Sequence, residues 1–220
     1  MNIEQVRFNM VEQQIRTWDV LDTDVLDLLH TLKRENFVPP AQREFALMDV
    51  ELPLLPMAPS EHMWSPKMEA RVAQDVDLHG FEHVLEVGTG SGYLTALLAS
   101  RSAKVTSVEI DPALAQFAVA NLARAGITNA TVETGDAARG WTRKAPYDVI
   151  VFTGSMEVLP DEVLAQLKPG GKLFVILGKP PVMRAQLVTL TANGGRSERT
   201  LFETVVAPLT HAALAPGFVF

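Results

Sequence analysis

The stretch Val84-Leu85-Glu86-Val87-Gly88-Thr89-Gly90-Ser91-Gly92-Tyr93, followed by Leu-Thr-Ala-Leu-Leu-Ala, restricts this 220-residue chain more than any other. A short apolar run meets an acid, three glycines alternate with small polar residues, and an apolar-periodic segment begins. That pattern predicts strand, tight loop and helix within about sixteen residues. Glycines spaced this way let the backbone fold sharply and let a ligand lie against it, because no Cβ intervenes. The helix that follows turns its unpaired N–H groups toward the same spot.

The loop departs from the dinucleotide fingerprint G-x-G-x-x-G. Its third glycine comes one residue early, and Tyr93 stands where that fingerprint wants glycine. Glu86 at the strand end would repel a pyrophosphate and attract an ammonium. A ligand with a cationic amino-acid end and a nucleoside end fits better, and S-adenosylmethionine is such a molecule. The plain alternative is a glycine-rich turn with no ligand. Gly88, Thr89, Gly90 and Gly92 are the candidate cradle.

A second strand over 104–109 also ends in an acid. Glu109 lies about twenty residues beyond the first glycine, where a ribose-binding carboxylate belongs in a βαβ unit; a strand-end acid facing water is its structural alternative. Asp111-Pro112 reads as helix cap and first helical residue, and Gly126 as the stop. A third strand over 130–134 leads to Gly135-Asp136, where Asp136 either caps its own turn or accepts from an adenine amino group. The near-continuous apolar run over 147–152 reads as a strand buried on both faces and ends at Thr153. A helix over 160–167, a Lys168-Pro169-Gly170-Gly171 turn and a fifth strand over 172–177 follow. Strand-like segments over 186–191 and 201–206 flank Asn193-Gly194-Gly195, which is hairpin chemistry. The predicted fold class is α/β: a doubly wound, mostly parallel sheet with an N-terminal helical cap and a C-terminal antiparallel strand pair.

The chain resembles the protein-L-isoaspartate O-methyltransferase family of S-adenosylmethionine-dependent enzymes over nearly its full length. The matches run through Met10-Val-Glu-Gln-Gln-Ile-Arg16, Phe37-Val-Pro39, the glycine motif, Gly135-Asp136, Ala145-Pro-Tyr-Asp148, Gln166-Leu-Lys-Pro-Gly-Gly171 and Ala207-Pro-Leu-Thr210. The glycine motif alone says methyltransferase; the Met-Val-Glu-Gln and Phe-Val-Pro phrases narrow the resemblance. It implies that Glu86 and Gly88 face the methionine end of the cofactor and that Glu109 holds both ribose hydroxyls. It also implies that Ile110 packs on the adenine, that Asp136 and Ala137 recognise its edge, and that Thr210 closes the pocket. Thr153 is counted with the cofactor residues. The product of the cofactor would be S-adenosylhomocysteine.

The substrate-side signature departs from the family. There the family pattern is Thr-Ile-Ser-x-Pro, with a serine implied to be catalytic; here the sequence is His62-Met63-Trp64-Ser65-Pro66. Matching serine to serine makes Ser65 the catalytic candidate and Met63 and Trp64 a rewritten substrate pocket. The segment before it, Leu52-Pro-Leu-Leu-Pro-Met-Ala-Pro59, lacks the family's glycine-containing approach. Ser65 reads equally as a helix cap before Pro66. Three functions therefore stand: methylation of isoaspartyl carboxylates in proteins or peptides, methylation of a small-molecule acceptor, or cofactor binding without catalysis. A carboxylate acceptor needs no general base, since its reference pKa lies near 4; an amine or alcohol would need one.

Composition sets the outer bounds. The chain has no cysteine and no histidine pair at zinc spacing, so neither disulfides nor a metal site is expected. A net charge of −7 argues against nucleic acid as a partner. No apolar run approaches a membrane span, and Met1-Asn-Ile-Glu-Gln carries an early acid unlike a signal peptide. A cytoplasmic protein is expected, with no membrane partner. Three regions are expected: a helical lid over 1–80 whose first clear helix starts at Asp22 or Thr23, a cofactor-binding core over 81–207, and a tail over 208–220.

Overall fold

A computed structural model of the chain describes residues 2–55, 58–191 and 193–215. The N-terminal part contains helices α1 (Ile3–Asn9) and α2 (Thr23–Thr31), a small hairpin of β1 (Leu52–Leu55) and β2 (Ala58–Met63), and α3 (Pro66–Asp75). The core then alternates β3 (His83–Val87), α4 (Tyr93–Ala99), β4 (Lys104–Glu109), α5 (Pro112–Arg124), β5 (Ala130–Thr134), β6 (Tyr147–Met156), α6 (Asp161–Leu164), β7 (Leu167–Lys179), β8 (Val182–Leu190) and β9 (Arg196–Thr204). Strands β3 to β9 form one seven-stranded sheet in the order β5-β4-β3-β6-β7-β8-β9. Strands β3 to β7 run parallel, and β8 and β9 close the sheet antiparallel. The order reverses beside β3, so the crevice of an open parallel sheet falls at the carboxyl ends of β3 and β4.

Successive strand residues point to opposite faces, and the two cores follow that period. Val84, Val105, Val149, Val151, Phe174 and Ile176 pack under Leu94, Leu97, Leu114 and Leu122, together with Met10, Val25 and Leu29 from the N-terminal helices. Leu85, Val87, Ile150, Phe152 and Val175 pack on the other face with Trp141, Tyr147, Val163 and Leu167. Each fully buried aliphatic or aromatic side chain contributes about 1.5–3 kcal/mol.

Local signals set the helix ends. The Asp111 carboxylate accepts from the N–H groups of Ala113 and Leu114 at 2.7 and 3.3 Å, and Gly126 has φ +74°. Asp22 accepts from Asp24 and Val25 at 2.9 and 3.2 Å, which makes Asp22 the start of α2.

Three local expectations change. The helix read over 160–167 is the single turn α6, because Leu167 already pairs with Tyr147 and is buried in the sheet. Lys168-Pro169-Gly170-Gly171 therefore lies within β7. The proline-rich segment, expected within a helical lid, contributes to the β1–β2 hairpin, with Leu52 opposite Met63 and Pro53 opposite His62; a two-stranded ribbon tolerates proline where its N–H would face away. Pro216-Gly217 and Phe218-Val219-Phe220, part of the expected tail over 208–220, lie outside the described residues. Among the described residues no helix is long and apolar enough to cross a membrane.

Candidate active site

A cleft of about 420 Å³ opens where β3 and β4 end. The glycine loop forms its floor. Gly88 has φ +93°, and a Cβ there would lie 2.2 Å from Thr153 Oγ1. Thr153, expected as the strand's end but lying within β6, places its hydroxyl 2.9 and 2.7 Å from the carbonyl oxygens of Val87 and Gly88 and so pins the loop. Gly90 has φ +53° and packs against Leu54 of β1, so the hairpin rests on the loop. Gly92 caps α4 against Ala118 and does not line the cleft.

Glu86 stands at the inner end. It is fully buried, and Oε2 accepts from Thr95 Oγ1 at 2.5 Å and Ser107 Oγ at 2.6 Å. Because Ser107 donates to Glu86, the hydroxyl of Thr89 donates to Ser107 across 2.6 Å. Both donors converge on one oxygen, and Oε1 has no partner among the described residues. Burial without a cation lifts the Glu86 carboxyl to about 8, against the pull of the two hydroxyls. A carboxyl in this state is neutral at pH 7 and is poised for a cation in the cleft.

Glu109 lies at the end of β4, almost wholly buried. Its oxygens accept from Gly90 N–H at 2.8 Å and Asp111 N–H at 3.1 Å, which fixes its orientation. Burial raises its pKa while the backbone donors of Gly90, Asp111 and Ile110 resist that rise. A fixed carboxylate with lone pairs to spare suits adjacent hydroxyl donors. Ile110 is 39 % exposed, an apolar side chain held out at the mouth, and buried Ala137 lines the same end. Asp136 accepts from Ala138 N–H at 3.0 Å and meets His211 Nδ1 at 2.7 Å. The Ala138 N–H and then His211 hold the Asp136 carboxyl below its usual range.

The remaining wall comes from the N-terminal part. Met63 and Trp64 line the cleft; Ser65, one residue on, is not among its lining residues, and its side chain makes no cap hydrogen bond to α3. The structure thus brings Met63 and Trp64 to the cleft and leaves Ser65, the serine-matched candidate, outside its lining. Counting back from Pro66 without a gap sets Trp64, not Ser65, in the place of the pattern's serine, and that ungapped count was the signal the sequence offered.

Two further residues complete the wall. Glu69 lines the cleft from α3 and pairs with fully buried Arg34, whose Nε lies 3.0 Å from Oε2. Arg34 also donates to the carbonyl oxygens of Ala46, at 2.6 Å, and of Trp64. Its guanidinium sits 5.7 Å from the centroid of the Tyr93 ring. Burial pushes the Glu69 carboxyl up to about 7, with Arg34 opposing it. Sequence reasoning missed Arg34 because its partners lie twelve to thirty-five residues away. The segment Ala207-Pro208-Leu209, which carries part of the resemblance, joins Thr210 in lining the cleft.

Comparison with known proteins follows the same line. The family model described as "Protein-L-isoaspartate(D-aspartate) O-methyltransferase (PCMT)" matches residues 5–213. The chain is 37% identical over 177 residues to a protein-L-isoaspartate O-methyltransferase of Brucella anthropi, covering 80% of each. It is 38% identical over 192 residues to one of Methanoculleus marisnigri, covering 87% of this chain and 85% of the relative. A solved protein-L-isoaspartate O-methyltransferase shares the fold with a TM-score of 0.78 at 24% identity, covering 93% of this chain; the chain spans 66% of that longer one. A Plasmodium falciparum structure described as a putative member, in complex with S-adenosyl-L-homocysteine, shares it with a TM-score of 0.76 at 19% identity, covering 96% of this chain and 99% of that one. The chain belongs to the protein-L-isoaspartate(D-aspartate) O-methyltransferase family.

Proposed function

We propose that this protein transfers a methyl group from S-adenosylmethionine to the carboxylate of isoaspartyl residues in proteins or peptides, in the cytoplasm. The observation that carries the cofactor half is the buried Glu86 oxygen without a partner among the described residues, in a cleft floored by glycines. Family membership carries the acceptor half.

The residues fit the cofactor. Glu86 Oε1 would receive the ammonium of its methionine end, and Glu109 would accept from both ribose hydroxyls. Ile110 and Ala137 would enclose the adenine, with Asp136 at its edge. Gly88 and Gly90 both hold positive φ, and at Gly88 a Cβ would also collide with Thr153 Oγ1. When bound, S-adenosylmethionine supplies an electrophilic methyl on a sulfonium. The chain's task is placement: a carboxylate is already ionised at neutral pH, so one oxygen must be held in line with the methyl and no proton needs removal. Met63 and Trp64 stand where an acceptor would enter, and Glu69 and Arg34 brace that wall.

The test is incubation with S-adenosylmethionine and matched peptides carrying isoaspartyl or normal aspartyl at one position. A base-labile methyl ester on the isoaspartyl peptide alone is the expected outcome. Cofactor binding without ester formation would overturn the acceptor assignment. A second reading, methylation of a neutral or cationic small molecule, has one observation in its favour: Glu51, Glu61, Glu69, Glu86 and Glu109 line the cleft and no Lys or Arg does among the described residues. Transfer to an amine or hydroxyl panel in place of the peptide would select it.

A further inference from the structure

We infer that the indole of Trp64 is the acceptor-side wall of this cleft and sets which residue beside the isoaspartyl group is accepted, with Arg34 and Glu69 as its positioning pair. The inference rests on the isoaspartyl reading above. Trp64 lines the cleft while remaining only 8% exposed, and Met63 beside it is 3% exposed. An indole is a rigid apolar group, so the part of it that reaches the cleft presents an apolar surface. Its backbone does not drift, because Arg34 donates to its carbonyl and is itself locked by Glu69 and the Ala46 carbonyl. Glu69 lines the same cleft, so one buried ion pair ties the acceptor wall to α3. Breaking such a pair leaves a buried charge uncompensated, so the pair resists displacement of the Trp64 backbone. Ser65 contributes its backbone to the start of α3, where its carbonyl accepts from Met68 N–H at 3.0 Å and Glu69 N–H at 3.2 Å.

An apolar wall discriminates by the area it covers, and a hydrophobic contact of this kind separates substrates by roughly 10–200-fold. Peptides with leucine beside the isoaspartyl residue should therefore be preferred to those with glycine. The experiment measures kcat and KM for Leu-flanked and Gly-flanked isoaspartyl peptides with the wild type, Trp64→Ala, Trp64→Phe and Ser65→Ala. Near-ultraviolet circular dichroism and the Kd for S-adenosylhomocysteine report on folding and on the cofactor end. Trp64→Ala is expected to raise KM for the Leu-flanked peptide roughly tenfold and to erase the preference, with the cofactor Kd kept within about twofold. Trp64→Phe, which preserves an aromatic face, should retain most of the preference even if the alanine variant fails to fold. Ser65→Ala should move the peptide KM less than Trp64→Ala does. An unchanged preference in folded Trp64→Ala or an enhanced one in Trp64→Phe would overturn the inference, as would loss of turnover confined to Ser65→Ala. A wild type that methylates neither peptide would instead overturn the reading on which it rests, and the inference with it.

Discussion

At Glu86 two hydroxyl donors crowd one carboxyl oxygen and leave the other bare, and the carboxyl is lifted to about 8. The free protein therefore holds a proton there at pH 7, whereas an ammonium needs the ionised form. Cofactor binding should release a proton, and affinity should rise as pH climbs from 6 to 8. Calorimetry in buffers of different ionisation enthalpy reads that proton directly; equal heats in all buffers would remove Glu86 from the ammonium site. Glu86→Gln keeps an acceptor for Thr95 and Ser107 but turns an N–H donor toward the cation. It should weaken binding by about 1.5–3 kcal/mol, the value of a hydrogen bond to a charged group, with little loss of thermal stability below pH 8. Glu86 and Glu109 were legible in the sequence because a strand-end acid before a glycine turn has a fixed place in a βαβ unit. Arg34 was not, because its role exists only once α3 and the segments at Ala46 and Trp64 converge on it.

Among the elements, the segment after β9 does more than end the chain. Ser155 N–H donates to the Ala207 carbonyl and Leu209 N–H to the Ser155 carbonyl, at 3.0 and 2.9 Å, so this segment is stitched to β6. Leu209 lies against Gly154 and beside Gly88, where added Cβ atoms would meet it at 2.8 and 3.7 Å. Leu209→Ala should loosen the roof of the cleft and speed cofactor dissociation several-fold in stopped-flow measurements, while far-ultraviolet circular dichroism stays the same. An unchanged off-rate would mean that the segment only covers β6. Helices α2 and α5 were legible because Asp22 and the Asp111-Pro112 pair carry their caps in adjacent residues. The β1–β2 hairpin was hidden by its prolines, and α6 was overextended because the sheet claims Leu167. In both cases tertiary packing overrode a local signal.

Across the whole molecule, the N-terminal helices share one continuous apolar core with the sheet, and paired charges reinforce the join. Arg101 of the core meets Asp22 of the N-terminal part at 2.9 Å, and Lys172 of β7 meets Asp77 at 2.8 Å. The parts that supply the acceptor wall and the glycine floor are thus held in one frame, as methyl transfer by positioning requires. The parallel order of the sheet was readable from alternating strands and helices, whereas the shape of the acceptor end emerged only from how residues 34, 64 and 69 meet. The central claim is that the cofactor lies across the ends of β3 and β4. A crystal structure with S-adenosylhomocysteine tests it most directly. The amino nitrogen is expected on Glu86 Oε1 and both ribose hydroxyls on Glu109; an empty cleft, or a ligand with its amino end turned away from Glu86, would contradict that placement.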